Sequence, residues 1–302
     1  MKKIILAAMA FAALAACNKA EVIETQEGEQ IAFNNAFVEN TTKAADDPSL
    51  GTTENPFTSF NVWGTVGSVA IYNGNEVTGT VGESNIWTCT SVKQYWIKDA
   101  HYKFSALANA GTVTLGDDKL PAKTTFDATT AAVDLLYAEP VEQTGLASGN
   151  APVEFTFNHL LSKVKFTVNN NSQAATGYSF DVKNITITCP KTGTIKLADK
   201  TWENLSAAAD YSVQTVTVDN SKASEECVKE LLLIPGSVSI NYDVDIKCDG
   251  IVVATHTPDA AYTTTLVGGN SYNFVVNVAV GEEITFSVDQ NPSWTSSPVT
   301  IQ

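Results

Sequence analysis

The sequence predicts an all-β protein built as two tandem β-sandwiches behind a removable N-terminal signal. Three observations predict it. Period-2 runs rich in Val, Ile, Thr, Phe and Tyr recur along the chain, punctuated by Gly, Asn, Asp and Pro. Helical periodicity is scarce, and many short strands with regular turn signals mean sandwiches rather than α/β units. About 270 residues remain for folding once the leader and its tether are set aside, which suits two modest domains better than one.

The N-terminus reads as a lipoprotein signal peptide over residues 1–16. Lys2 and Lys3 form a basic start, and Ile4 to Leu14 is uncharged and apolar. That run is too short to span a bilayer but fits a signal-peptide core. It ends in Leu14-Ala15-Ala16-Cys17, small residues before a cysteine, the pattern of a bacterial lipobox. There the cysteine thiol is acylated and becomes the new N-terminus. Residues 17–28 are then a lipidated tether. No later segment approaches 18 apolar residues, so lipid at Cys17 is the expected anchor.

The first sandwich is expected over residues 29–157. It begins with a strand pattern at Gln30 to Val38, with Ile31, Phe33 and Phe37 on one face. A polar linker at residues 41–55 follows, so this strand is flanked by two polar segments and is easily detached. Alternation then marks Phe60 to Trp63, Ser68 to Tyr72, His101 to Ala106 and Val153 to Phe157. Ala131 to Ala138 is the best helix candidate, although Val133 to Tyr137 reads equally well as a strand. The second sandwich is expected over residues 158–302, with the seam near Phe157 to Ser162. Its strands fall at Val164 to Val168, Ile185 to Ile187, Val213 to Val218, Leu231 to Ile234, Ile240 to Cys248, Tyr272 to Val280 and Ile284 to Val288.

Charge excludes one class of partner. The chain has 18 Lys+Arg against 33 Asp+Glu, and every basic residue is lysine. Without the two leader lysines the balance is 16 − 33, or −17, which repels nucleic acid. Four cysteines remain after Cys17: Cys89, Cys189, Cys227 and Cys248. Cys227 and Cys248 flank an apparent hairpin at Pro235-Gly236 and could face each other as a disulfide; buried thiols serving as small apolar residues are the alternative.

No catalytic constellation stands out, and no cofactor or metal is expected. His101, His159 and His256 lie far apart, and His159 reads as a packing or hydrogen-bonding residue at the seam. Asp243, Asp245 and Asp249-Gly250 resemble calcium-loop spacing, but Lys247 sits where a ligand should be and the intervening residues alternate as a strand. There is no GxSxG, HExxH or GxxxxGK motif. Trp63, Trp87, Trp96, Trp202 and Trp294 could form a sugar-stacking platform, although tryptophan in sandwiches usually packs between sheets. That platform is the basis of a second functional reading, a surface glycan-binding lipoprotein.

Several segments, taken in order, resemble the fimbrillin family, the type V pilin-like lipoproteins of Bacteroidales. They are the lipobox at Cys17, Gln30-Ile31-Ala32-Phe33 with Thr41 to Ala44, Phe60 to Gly64, Tyr102-Lys103-Phe104 and Val133 to Ala138. Phe155 to Phe166 matches the family's inter-domain seam, and Gly268 to Phe274 with Ile284-Thr285-Phe286 and Trp294 its final strands. The resemblance implies two transthyretin-like Greek-key sandwiches and a pilus subunit or accessory serving adhesion at the outer membrane. It also implies assembly by strand exchange. A protease clips after a basic residue behind the first strand, and a strand from another subunit fills the opened groove. Mapped onto this chain, Ile31, Phe33 and Phe37 are the groove plugs and Lys43 the clip site. The sequence has no arginine for the arginine-specific protease that cuts the best-known members. Val299 and Ile301 in the C-terminal tail are candidate donor residues, against a tail that completes its own sandwich, since Pro292 and Pro298 interrupt it. The implied partners are other pilus subunits and a host or bacterial surface ligand.

Overall fold

The structure, a computed structural model, describes residues 28–34, 37–38, 59–79, 86–226 and 230–291. The signal peptide, Cys17, Lys43, the 41–55 linker, Cys227, Trp294, Val299 and Ile301 lie outside the described residues. Those described are all β, with no helix among them.

The first half contributes β1 (Phe33–Asn34), β2 (Phe37–Val38), β3 (Ser59–Val66), β4 (Val69–Thr78), β5 (Ile86–Cys89), β6 (His101–Ala108), β7 (Val113–Leu115), β8 (Pro121–Asp127), β9 (Leu136–Thr144) and β10 (Thr156–His159). Eight of these form one sheet in the order β1-β5-β4-β3-β6-β9-β10-β2. Its two ends, β1 and β2, are neighbouring pieces of a single segment, so the chain closes the sheet on itself around a buried aromatic core.

The second half contributes β11 (Ser162–Asn170), β12 (Tyr178–Pro190), β13 (Thr192–Lys196), β14 (Thr201–Glu203), β15 (Ala208–Ser212), β16 (Val216–Asp219), β17 (Ser224–Glu226), β18 (Leu231–Leu233), β19 (Gly236–Cys248), β20 (Ile251–His256), β21 (Tyr262–Leu266), β22 (Ser271–Val278) and β23 (Thr285–Asn291). One sheet runs β17-β11-β22-β23 with β18 also on β11. The other runs β15-β12-β19-β20 with β16 on β12 and β21 on β19. The two sheets sandwich a second core around Phe166, Phe180, Ile240 and Phe274.

The halves are joined by a fourth sheet, β14-β13-β8-β7, in which β8 of the first half pairs antiparallel with β13 of the second, Phe126 opposite Gly193. Beneath it lies a third core that includes Trp63, Leu107, Tyr137, Leu161, Ile195 and Leu232. This core explains where simple alternation fails. Phe104, Ala106 and Ala108 point into the first core while Leu107 points into the shared one. Leu231 and Leu233 face the second core while Leu232 and Ile234 face the shared one. Strands covered on both faces become continuous apolar runs, because neither face can remain polar.

Two sequence expectations change here. Residues 131–138 are not helical; Leu136–Thr144 is a strand, entered through an irregular stretch. Pro235-Gly236 is not a hairpin. β18 pairs with β11 while β19 pairs with β12, so the chain crosses there from one sheet to the other. That removes the ladder on which a Cys227–Cys248 bridge was read. Cys248 sits half-buried at the end of β19, and Cys227 lies outside the described residues.

Candidate functional site

The site is the seam closed by residues 28–38. The segment serves two edges in turn. On one side it runs antiparallel to the β5 edge, with Phe33 opposite Trp87, Asn34 opposite Ile86 and a further bridge from Gln30 to Tyr95. The Ile31 N–H donates to the Gln94 carbonyl at 2.8 Å, and the Trp96 N–H donates to the Glu29 carbonyl at 2.9 Å. On the other side it runs parallel to the strand entering β10. Phe33 bridges Val153, the Val153 N–H donates to the Ala32 carbonyl at 2.9 Å, and Phe37 and Val38 register with Thr156 and Phe157. Without this segment both edges would present unpaired backbone groups.

Its side chains plug the core. Ile31 and Phe33 are fully buried. The Phe33 ring stacks on Phe155 at 5.8 Å and meets Phe60, Tyr72 and Phe104 edge-on at 6.1, 5.7 and 6.0 Å. Such pairs add to area burial because ring edges are positive and faces negative. Phe37 takes its place by backbone register opposite Thr156.

A carboxylate pins the start of the segment. Glu29 Oε2 accepts from both the side-chain Nδ2 and the backbone N–H of Asn150, each at 2.8 Å. These bonds, the side-chain one foremost, hold the Glu29 carboxyl below its ordinary range.

The remaining candidates are scattered. His159 donates or accepts at Nδ1 with Asp134 Oδ2 at 2.5 Å, both side chains buried at the junction of the halves, which is the hydrogen-bonding role its sequence position suggested. Asp134, missed by sequence reading, lies in an apolar run that gave no signal of a polar partner. His101 is exposed beside Thr144, and His256 lies on β20 in the second half. Among the described residues no group of His, Cys, Asp or Glu is arranged to hold a metal. Asp243 and Asp245 lie along β19, where Asn184, Thr257, Lys183 and Thr255 bond them, and Asp249-Gly250 is the two-residue turn into β20, both at positive φ. Cys89 and Cys189 are buried, and burial pushes the Cys189 thiol up to about 12, as befits a small apolar residue.

The tryptophan platform does not form among the described residues. Trp63, Trp87 and Trp96 are buried in the cores, and Trp202 packs half-buried against the shared one. A hollow of about 510 Å³ among the described residues is open and lined by polar side chains that include His101, Lys103, Asp117, Asp118, Glu142 and Gln143. Lys103 lies 3.8 Å from Asp118 and 4.0 Å from Glu142, so its cation sits between exposed carboxylates.

A family model described as fimbrillin-like matches residues 36–292. Among solved structures, a fimbrial protein from Bacteroides vulgatus ATCC 8482 superposes with a TM-score of 0.61 at 17% identity, covering 88% of this chain and 99% of that one. A putative cell adhesion protein from Bacteroides uniformis ATCC 8492 gives 0.51 at 16% identity, over 87% and 97%. One from Parabacteroides distasonis ATCC 8503 gives 0.52 at 8% identity, over 87% and 96%. At these identities the likeness is one of fold. No curated protein matches the sequence.

Proposed function

Since this chain belongs to the fimbrillin-like family, we propose that it is a structural subunit or accessory of a cell-surface pilus, assembled by proteolysis-triggered strand exchange and serving adhesion without catalysis. The protein is made as a lipoprotein, acylated at Cys17 and held at the outer membrane. Cleavage at Lys43 separates the first strand from the body. A strand from another subunit, with Val299 and Ile301 of its C-terminal tail as donor residues, then enters the vacated seam.

The single observation that supports this reading is the two-edged closure by residues 28–38. A segment bound on both edges leaves a complete groove when it departs. That groove has two main-chain ladders and adjacent cavities shaped for Ile31 and Phe33. An incoming strand with large apolar residues at alternate positions satisfies both. An empty groove exposes aromatic surface and unpaired edges, which drives association.

Limited digestion of residues 18–302 with a lysine-specific protease tests it, read by mass spectrometry and size-exclusion chromatography. Cleavage confined to Lys43, followed by growth into larger species, is the expected outcome. A product cut at Lys43 that stays monomeric and keeps its full stability overturns strand exchange.

A further inference from the structure

The described residues begin, at Gly28, at one pole of the first half. Gly28 packs so closely on Tyr95 that a methyl group added to it would lie 3.1 Å from the Tyr95 Cβ. Three loops meet there. The Gly67 N–H donates to the His101 carbonyl at 3.0 Å, fixing the β3–β4 turn beside Val69. Asp99 donates to Gly145, and Gly145 donates to Ala100, joining the 95–100 loop to the 145–150 loop. The Leu146 N–H donates to Asn150 Oδ1 at 2.7 Å, and Asn150 in turn donates to Glu29. The opposite end of the same sheet leads into the core shared with the second half, where Leu107, Leu160 and Leu161 gather with Ile195 and Leu232. The entry pole is therefore the end of that sheet away from the shared core, although β13 and β14 of the second half run along its flank as far as Ala122.

Apolar side chains gather at this pole without being buried. Val69 is 56% exposed, Tyr95 47%, Ile97 60% and Leu146 54%, four of the eleven large exposed apolar side chains among the described residues. Val69 opens β4, a strand inside the sheet, and the other three lie on loops built by internal hydrogen bonds. The Tyr102 hydroxyl, for one, accepts from the Ile97 N–H at 2.7 Å and donates to the Tyr95 carbonyl at 3.2 Å. A rigid loop platform that spends bonds to keep isoleucine and leucine in water marks a contact surface. The rim mixes signs: Lys98 and Lys103 stand with Asp99, Asp118 and Glu142. It has no cationic excess for anionic lipid, and suits zwitterionic headgroups.

We propose that this pole seats on the bilayer that holds the Cys17 acyl chains, with Ile97 and Leu146 in the headgroup boundary and Val69 and Tyr95 beside them. The occupant follows from where the chain goes. Gly28 lies eleven residues from Cys17, a tether of at most about 40 Å when fully extended. The acyl anchor thus delivers this pole to the lipid surface before any other part of the molecule. Tyrosine suits that boundary, with an apolar ring and a polar tip. The consequence is orientation: the sandwich of β11, β12, β19 and β22 points away from the membrane. The proposal rests on the reading of Cys17 as the acylation site.

The experiment uses the full mature chain, expressed with its leader and reconstituted into phosphatidylcholine vesicles that contain a diazirine-bearing phosphatidylcholine. Intact mass first establishes whether Cys17 is acylated; an unmodified mass overturns the anchor and the seating together. With the acyl mass present, photolysis should place lipid adducts on peptides spanning residues 95–98 and 145–147. Ile97→Ser/Leu146→Ser, both exposed and tolerable to the fold, should abolish those adducts while acylation persists. Ile251→Ser/Val253→Ser, on an equally exposed but remote strand, should leave them unchanged. Adducts confined to the tether, or equal at residues 251–253, overturn the seating while leaving the anchor intact. Cross-links from pole to pole between protein chains, in place of lipid adducts, show a protein interface and overturn it as well.

Discussion

The two halves bury comparable aromatic cores but close them in opposite ways. In the second half the closing ladders are long and internal. β12 and β19 are 13-residue strands paired along most of their length, and β22 pairs with β11 over eight residues from Lys163–Ser271 to Asn170–Val278. In the first half the last gap is filled by one segment that pairs with two edges, through Phe33–Asn34 on β5 and Phe37–Val38 on β10. Main-chain bonds on both edges are joined there by the buried Ile31 and Phe33 side chains. The final described strand of the second half shows the contrast. On β23, Phe286 is only half-buried, although it rests on Tyr262, Tyr242 and Phe274 at 4.6, 5.5 and 5.9 Å. The lesson is that one segment can complete a sheet by serving two edges, with buried aromatic packing added to its main-chain bonds.

Substitutions at the plugs test this contrast most severely. Phe33→Ala removes a fully buried ring that touches four others, and should cost about 3–5 kcal/mol in denaturant unfolding. Phe286→Ala should cost less, about 1–2 kcal/mol, because part of that ring is already in water. Equal losses would mean that the first segment is no more plug-dependent than β23.

A smaller effect should come from overfilling the seam. A Cβ at Gly79 would fall 2.3 Å from the Trp87 ring, which faces Phe33 across the β1–β5 pair. Gly79→Ala must displace that indole and should cost about 1–3 kcal/mol. Proteolysis of the closing segment should speed up more than cleavage within the second half; uniform acceleration would show that the damage is not local.

The mildest change concerns the Glu29 latch. Its carboxyl is held below the ordinary range by Asn150, so it contributes stability above the normal carboxylate pKa and loses it as pH falls through the folded value. Glu29→Gln should therefore weaken the first half at neutral pH and converge with the parent protein in acid. A difference that persists unchanged into acid would assign the effect to packing. The Lys123 and Lys196 bonds to Glu203 in the joining sheet also depress their carboxylate, so Glu203→Gln should follow the same pH course while leaving release of the first segment unaffected.

The sequence alone determined the class of the fold and marked the apolar face of its first strand. Alternation of Val, Ile, Thr and aromatics dictates strands, because successive side chains point to opposite faces. Ile31 and Phe33 were visible as one face of an isolated strand, and both are buried. Three things were decided only in the tertiary structure. That residues 28–38 bridge two edges depends on the Ile86–Trp87 edge and the Val153–Phe157 edge arriving on either side, more than 50 and more than 110 residues later. Alternation cannot report such a pairing. The joining sheet was hidden because β7, β8, β13 and β14 are short, threonine- and lysine-rich, and become strands by pairing across the halves. The polar junction was hidden too. Asp134 follows the apolar periodicity of its neighbours only in spacing, and its burial is tolerable because folding brings His159 within hydrogen-bonding distance. Local patterning fixes which face of each strand is apolar, and long-range closure fixes what that face meets.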